Sequence, residues 1–222
     1  MKIVLPQIDH VFDFDEECCI TVVIENQRLF TDVIKDISEQ IQGLYGRTVL
    51  SKGNKPVSMD KYAELISQFI PFDINQRTLI SKVNSRMQQL AVNEDNFMAT
   101  NELLAEWERY LLNLSMNLTG NFSFLKITAE SLIKAAGMEF ENEYDSLGEK
   151  LLDYMELVRT YDKDKLFVLV NLRSYLSDGE TEAFIRDVQA REICILLLES
   201  VERQRICEEN RYVVDNDLCL IC

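Results

Sequence analysis

The chain has a single histidine among 222 residues, and its seven glycines and three prolines are dispersed. One histidine, His10, excludes histidine metal clusters, and a Ser-His-Asp or Cys-His site would have to be built on it. It lies in a polar stretch near the N-terminus and reads as a surface residue. The glycines form no G-x-G-x-x-G and no P-loop pattern, so nothing offers the backbone amides with which a glycine-rich loop holds phosphate. No run of about 18 uncharged apolar residues occurs, and the opening MKIVLPQIDH turns polar too soon for a signal peptide. A cytoplasmic location without membrane contact is therefore expected. Cysteine chemistry is sparse too: Cys18 and Cys19 are adjacent, and Cys194 sits in the apolar run ICILLL as a small hydrophobe, so disulfides are not expected. Cys219-Leu-Ile-Cys222 has zinc-ligand spacing, but Cys207 and His10 are far away in sequence, and no zinc site is expected there.

Hydrophobic residues make up 47% of the chain, enough for one substantial core plus a smaller helical appendage. The net charge of −15 speaks at first against nucleic acid, whose phosphates draw affinity from Lys and Arg. The charge is segregated, however. From Arg47 to Asn93, seven basic residues (Arg47, Lys52, Lys55, Lys61, Arg77, Lys82, Arg86) face only Asp60, Glu64 and Asp73, so this window is +4 and the remainder −19.

The β-branched run Cys19 to Ile24 predicts a strand, followed by Asn26 as N-cap and a helix with Leu29, Phe30, Val33, Ile34, Ile37 and Ile41 on one face, ended by Gly43. Residues 46 to 61 read as a short strand with an exposed loop carrying much of the basic window. A second apolar segment, Tyr62 to Phe69, leads to a helix whose arc is Leu79, Ile80, Val83, Met87 and Leu90, with Lys82, Arg86 and Gln89 together on one flank. From Asn101, the pattern Leu103, Leu104, Trp107, Leu111, Leu114, Leu118 predicts a long amphipathic helix stopping near Gly120, and Trp107 reads as core ahead of interface. A shorter helix over 128–136 is closed by Gly137, and a third covers 145–161.

The clearest unit follows. Leu166 to Val170 is a wholly apolar strand, Ser177 with Glu180 makes a capping box, Phe184, Ile185 and Val188 line a helix, and Ile193 to Leu198 is another apolar strand. This βαβ pattern implies parallel strands in a sheet covered on both faces. Tyr212 to Val214 and Leu218 to Ile221 predict a terminal hairpin. In such a sheet a catalytic acid would stand at the carboxyl end of a strand, and Glu199 is the candidate; the equivalent end of Leu166 to Val170 offers Asn171 instead. The first strand-to-helix turn, VIENQRLF, holds no glycine. These residues point to a binding protein with no catalytic residues, and no nucleotide is expected.

Four stretches, LISQFIPFDINQRTLISKV from Leu65, KLFVLVNLRSYLSDGE from Lys165, ILLLE from Ile195 and ENRYVVDNDLCLI from Glu209, resemble the Csn family of CRISPR-associated proteins found in type II-A systems. The resemblance implies an α/β fold: a P-loop-like head with a largely parallel sheet but no phosphate-binding loop, at 1–93 and 138–222, and an α-helical leg at 94–137. It further implies a ring-shaped homotetramer whose lysine-lined hole takes the end of double-stranded DNA. The implied role is spacer acquisition, alongside the integrase proteins and the effector nuclease of the same system. By position, Lys52, Lys55 and Lys61 match basic residues of the family's corresponding loop. Charge pattern adds Lys82, Arg86, Lys126 and Lys134 as DNA contacts.

The family is also associated with calcium held by carboxylates in the leg. Between Leu112 and Ala129 this chain has no Asp or Glu, so a site there would recruit Glu102, Glu106, Glu108 or Glu130. Two other readings remain open at the level of sequence: an acidic protein-protein scaffold that recruits adaptation partners with weak or no DNA binding, and a divergent nucleotide-binding enzyme.

Overall fold

The computed structural model describes residues 1–206 and 209–221. It falls into two compact units, one formed by residues 1–72 and 143–222 and one by residues 73–142. The second unit begins earlier than the leg read from sequence, at Asp73, because the helix Arg77–Ala91 (α3) packs against Ala129–Ala136 (α5).

In the first unit, a six-stranded sheet is organised around β3 (Cys19–Ile24), all of whose residues are buried. β3 pairs in parallel with β8 (Ile195–Glu199) on one side and β9 (Asn210–Val214) on the other. β7 (Leu166–Val170) continues in parallel beyond β8, β6 (Ala63–Ile66) lies beyond β7, and β10 (Leu220–Ile221) closes the other edge antiparallel to β9. The sheet is thus parallel throughout except for β10, as the uninterrupted apolar runs require. The βαβ crossover is completed by α7 (Asp178–Ala190). The Ser177 side chain accepts from the Glu180 amide, and the Glu180 carboxylate accepts from the Ser177 amide at 2.8 Å.

A second sheet was not foreseen. β1 (Lys2–Val4), β2 (Val11–Asp13), β4 (Val49–Lys52) and β5 (Lys55–Val57) form an antiparallel sheet in the order β2-β1-β4-β5. The segment read as one strand and a loop is therefore a hairpin. Its turn is Gly53-Asn54, both at positive φ (55° and 59°), the combination that matches strand twist in a two-residue connection. Strands of three or four residues carry too little alternation to announce themselves.

Both sheets share one core. Ile20, Val22, Ile24, Leu196 and Leu198 on one face of the large sheet cluster with Ile3, Phe12 and Leu50 of the small one and with Leu29, Val33 and Ile37 of α1 (Gln27–Ile41). α1 starts where expected, with the Asn26 carbonyl oxygen Oδ1 accepting from the Leu29 amide at 3.0 Å. Alternation along the strands turns Thr21, Val23, Phe167, Leu169 and Leu197 to the other face, toward α7 and α6 (Leu147–Tyr161), which pack on each other. His10 is half-buried rather than on the surface. Its ring centroid lies 4.8 Å from those of both Phe12 and Tyr212, which links the two sheets.

The second unit is closed at its ends by side chains. Asn75 Nδ2 donates to the Phe140 carbonyl at 3.0 Å while its Oδ1 accepts from the Phe140 amide at 2.7 Å, and Asn142 donates to Asp73 at 3.2 Å. α4 (Phe97–Ser115) starts four residues before the predicted Asn101 and buries none of its residues. Trp107 is accordingly 42% exposed, its ring packed only on Tyr110 at 5.8 Å among ring contacts of the described residues; the expectation of a core tryptophan does not hold within one chain.

Asp36 of α1 fixes the approach to β4. Its carboxylate accepts from the amides of Arg47 at 2.8 Å and Thr48 at 2.7 Å, and Gln40 bridges the same carboxylate to the Thr48 carbonyl. Burial alone would raise this carboxyl, but the hydrogen bonds from Thr48, Arg47 and Gln40 hold it below the usual aspartate range. Asp36→Ala leaves two amides without an acceptor and is expected to destabilise the fold by about 1–3 kcal/mol in denaturant unfolding. Asp36→Asn, which keeps an acceptor, should lose less.

Candidate nucleic-acid interface

The β4–β5 hairpin places Lys52 and Lys55 directly opposite each other across the strands. Like charges in that position repel, and Asp164, in the loop between α6 and β7, offsets this by pairing with Lys52. The pairing raises the Lys52 ammonium above the ordinary lysine range, with the Asp164 hydrogen bond as main cause. Both partners are about half exposed, at 45% and 50%, so the pair adds little stability. Its electrostatic effect is plainer: one of the two hairpin cations is already compensated. Lys55 is exposed on β5. Lys61 is exposed on the short helix α2 (Met59–Tyr62), and its carbonyl accepts from Lys165 Nζ at 2.8 Å, so the backbone beneath it is anchored to the head. No local pattern signals Asp164 as a partner, since it lies 112 positions from Lys52.

The other basic candidates belong to the second unit. Lys82 is half-buried on α3 with an interaction of its own, and Arg86, exposed on the same helix, donates to Gln89 at 3.2 Å. Lys126 is exposed in the segment before α5, and Lys134 on α5 pairs with Glu130 at 2.6 Å, one turn earlier.

The carboxylates proposed for calcium do not converge. Glu102, Glu106 and Glu108 lie on α4, where a 100° step per residue sets Glu108 well round from the other two, and Glu130 is occupied by Lys134. Among the described residues no three His, Cys, Asp or Glu side chains stand close enough to hold an ion. Calcium wants six to eight oxygen ligands, and these residues of a single chain do not fit it. Cys219 is exposed, while Cys222, its partner in the zinc-like spacing, and Cys207 lie outside the described residues.

At the carboxyl edge of the large sheet, Glu199 closes β8 at only 2% exposure, and one of its oxygens accepts from the Arg173 amide at 3.1 Å. The Arg173 guanidinium, equally buried, pairs with Glu209 at 3.1 Å and Asp178 at 2.9 Å and donates to the Gln204 carbonyl. Asn171 stands at φ 57° and accepts from the amide and hydroxyl of Ser200. This edge is thus filled by protein side chains, with the carboxylate candidate for hydrolysis closed off from solvent. Nothing in the pattern of residues 173–209 had announced the ion network, whose members are up to 36 positions apart.

The family model for CRISPR-associated protein (Cas_Csn2) matches residues 40–218. The chain belongs to the Csn2 family of type II-A CRISPR systems. Two relatives bear the description CRISPR-associated protein Csn2. One, from Enterococcus faecalis, is 26% identical over 95 residues, which is 42% of this chain and 42% of the relative, so the match spans less than half of that protein. The other, from Streptococcus agalactiae, is 22% identical over 158 residues, 71% of this chain and 70% of the relative. Among solved structures, the crystal structure of Stu0660 of Streptococcus thermophilus matches with a TM-score of 0.61 at 15% identity, covering 96% of this chain and 74% of that one. At this identity the likeness is one of fold: the mixed α/β architecture with a largely parallel sheet is shared. No helix of the described residues is long and apolar enough to cross a membrane.

Burial pushes the Glu199 carboxyl up to about 7, against which the Arg173 amide and charge act only in part. Between the unfolded glutamate range near 4.5 and about 7, the folded Csn2-family chain therefore holds a proton that the unfolded chain releases. Stability should fall as pH rises through that window, by on the order of 3 kcal/mol. Glu199→Gln keeps an acceptor for the Arg173 amide, and its unfolding free energy measured from pH 4.5 to 7.5 is expected to lack that component of the slope.

Proposed function

We propose that this Csn2-family protein is a non-catalytic, ring-forming homotetramer that binds the ends of double-stranded DNA through phosphate contacts and serves spacer acquisition. In that role it acts with the integrase proteins and the effector nuclease of its system, in the cytoplasm. The observation that carries the reading is the β4–β5 hairpin, which sets Lys52 and Lys55 side by side at a two-residue turn of an otherwise acidic chain. The exposed Lys61 belongs to the same unit, and exposed Arg47 is held at its backbone by Asp36. A fixed backbone lets several cations meet phosphates without losing the order of a loop on binding.

Self-association is supported by α4, where Leu103, Trp107 and Tyr110, which a 100° step per residue sets on one face, are 57%, 42% and 53% exposed. Calcium is not part of this reading, because Glu102, Glu106, Glu108 and Glu130 do not converge within one chain.

Binding through phosphates is indifferent to sequence and steep in salt. In gel shifts at low salt, linear duplex is expected to bind and closed-circular duplex not; equal binding of both, or of neither, counts against the proposal. Lys52→Glu, Lys55→Glu and Lys61→Glu combined should abolish the shift while thermal unfolding stays cooperative. Retained affinity would remove these residues from the interface. Asp164→Asn frees the Lys52 charge and is expected to tighten DNA binding by up to about fivefold.

A further inference from the structure

On the face of the first unit formed by α6 and α7 lies a groove of about 160 Å³, room for roughly five waters or one aliphatic side chain. Its floor is apolar, made by Leu152, Leu176 and Phe184, and its rim carries Glu149, Glu180 and Asp187; none of its described lining residues is basic. Glu149 and Glu180 stand in the first turns of their helices, where a carboxylate complements the helix dipole. Asp187, further along α7, has no such role. The nearby cations are engaged elsewhere: Lys150 lies over the Tyr144 ring and Arg186 pairs with Glu182 at 3.2 Å.

Gly148 is the residue that keeps the groove open. It sits in the first turn of α6, where glycine weakens a helix relative to alanine. Its φ is not in the left-handed region, and an added Cβ would meet Phe184 at 3.8 Å, an ordinary contact. Neither backbone conformation nor close packing calls for glycine at this position, and the effect of the missing side chain is space above Phe184.

We propose that this groove is a docking site for a partner protein that presents an aliphatic side chain flanked by lysine or arginine. The apolar floor takes the aliphatic group, and the three carboxylates, with no lining base to compensate them, select a basic flank and repel an acidic one. None of these residues is among the DNA-binding candidates, so the site does not depend on the DNA reading.

The probe is a fluorescent peptide, Arg-Lys-Leu-Lys-Arg with blocked ends, titrated into the full chain with anisotropy as readout. Saturable binding is expected, weakened at least tenfold when the peptide's leucine becomes serine and severalfold by Asp187→Asn. Gly148→Leu and Ala183→Leu fill the groove from opposite walls, and each should also cost at least tenfold. Thermal unfolding of every variant identifies one that fails to fold, in which case the other decides. The proposal is overturned if no saturable binding is seen, if the serine peptide binds as well as the leucine peptide, or if the folded groove-filled variants keep full affinity. It is equally overturned if they lose self-association instead, because the occupant is then a second copy of the chain.

Discussion

Parallel pairing of β3 with β8 on one side and β9 on the other satisfies the backbone of a strand whose six residues are all buried. A strand so enclosed cannot turn a polar face to water, so its neighbours must supply hydrogen bonds along both edges and its two faces must both be covered. The rest of the first unit follows from that constraint. α6 and α7 cover one face, α1 with the small antiparallel sheet covers the other, and β10 ends the sheet at one edge. Core and sheet order are thus tied to one apolar hexapeptide. The basic hairpin enters the same scheme, since Leu50 of β4 belongs to the shared core while Lys52 and Lys55 lie at the turn.

Much of this was legible in the sequence because buried parallel strands write continuous apolar runs. Cys19–Ile24 and Leu166–Val170 have the limits expected of them, and the caps at Asn26 and Ser177 form as their side chains demand. The small sheet was not legible, because three-residue strands such as β1 and β2 carry no period and the pairing of β1 with β4 joins residues nearly fifty positions apart. The site was legible only as a list of cations. Which of them retain their charge for a ligand depends on partners far along the chain, as Asp164 shows for Lys52, and no local pattern reports that. The amphipathic stripe of α4 was correctly helical, yet what it covers is not found within one chain, so Trp107 reads as core in sequence and stands exposed in the fold.

The carboxyl edge of the sheet illustrates why an α/β fold alone does not decide chemistry. There, where ligands commonly enter open sheets, Arg173, Glu199 and Glu209 are buried together and tie the chain after β8 to the chain after β7. The turn after β3 has no glycine to let phosphate approach its amides. The two surfaces proposed to meet a ligand lie instead on the outside of the unit, at a hairpin and at a helix groove.

The paired hydrogen bonds of Asn75 to the backbone of Phe140 have a consequence for how the gene could have been assembled. They bring the two crossings between units to one place, so to the head the whole of residues 73–142 is equivalent to a long loop with joined ends. The entropy of closing such a loop grows only with the logarithm of its length. Helical segments there could lengthen, shorten or be exchanged while the strands of the head kept their register, leaving that unit free to change its associations without refounding the fold.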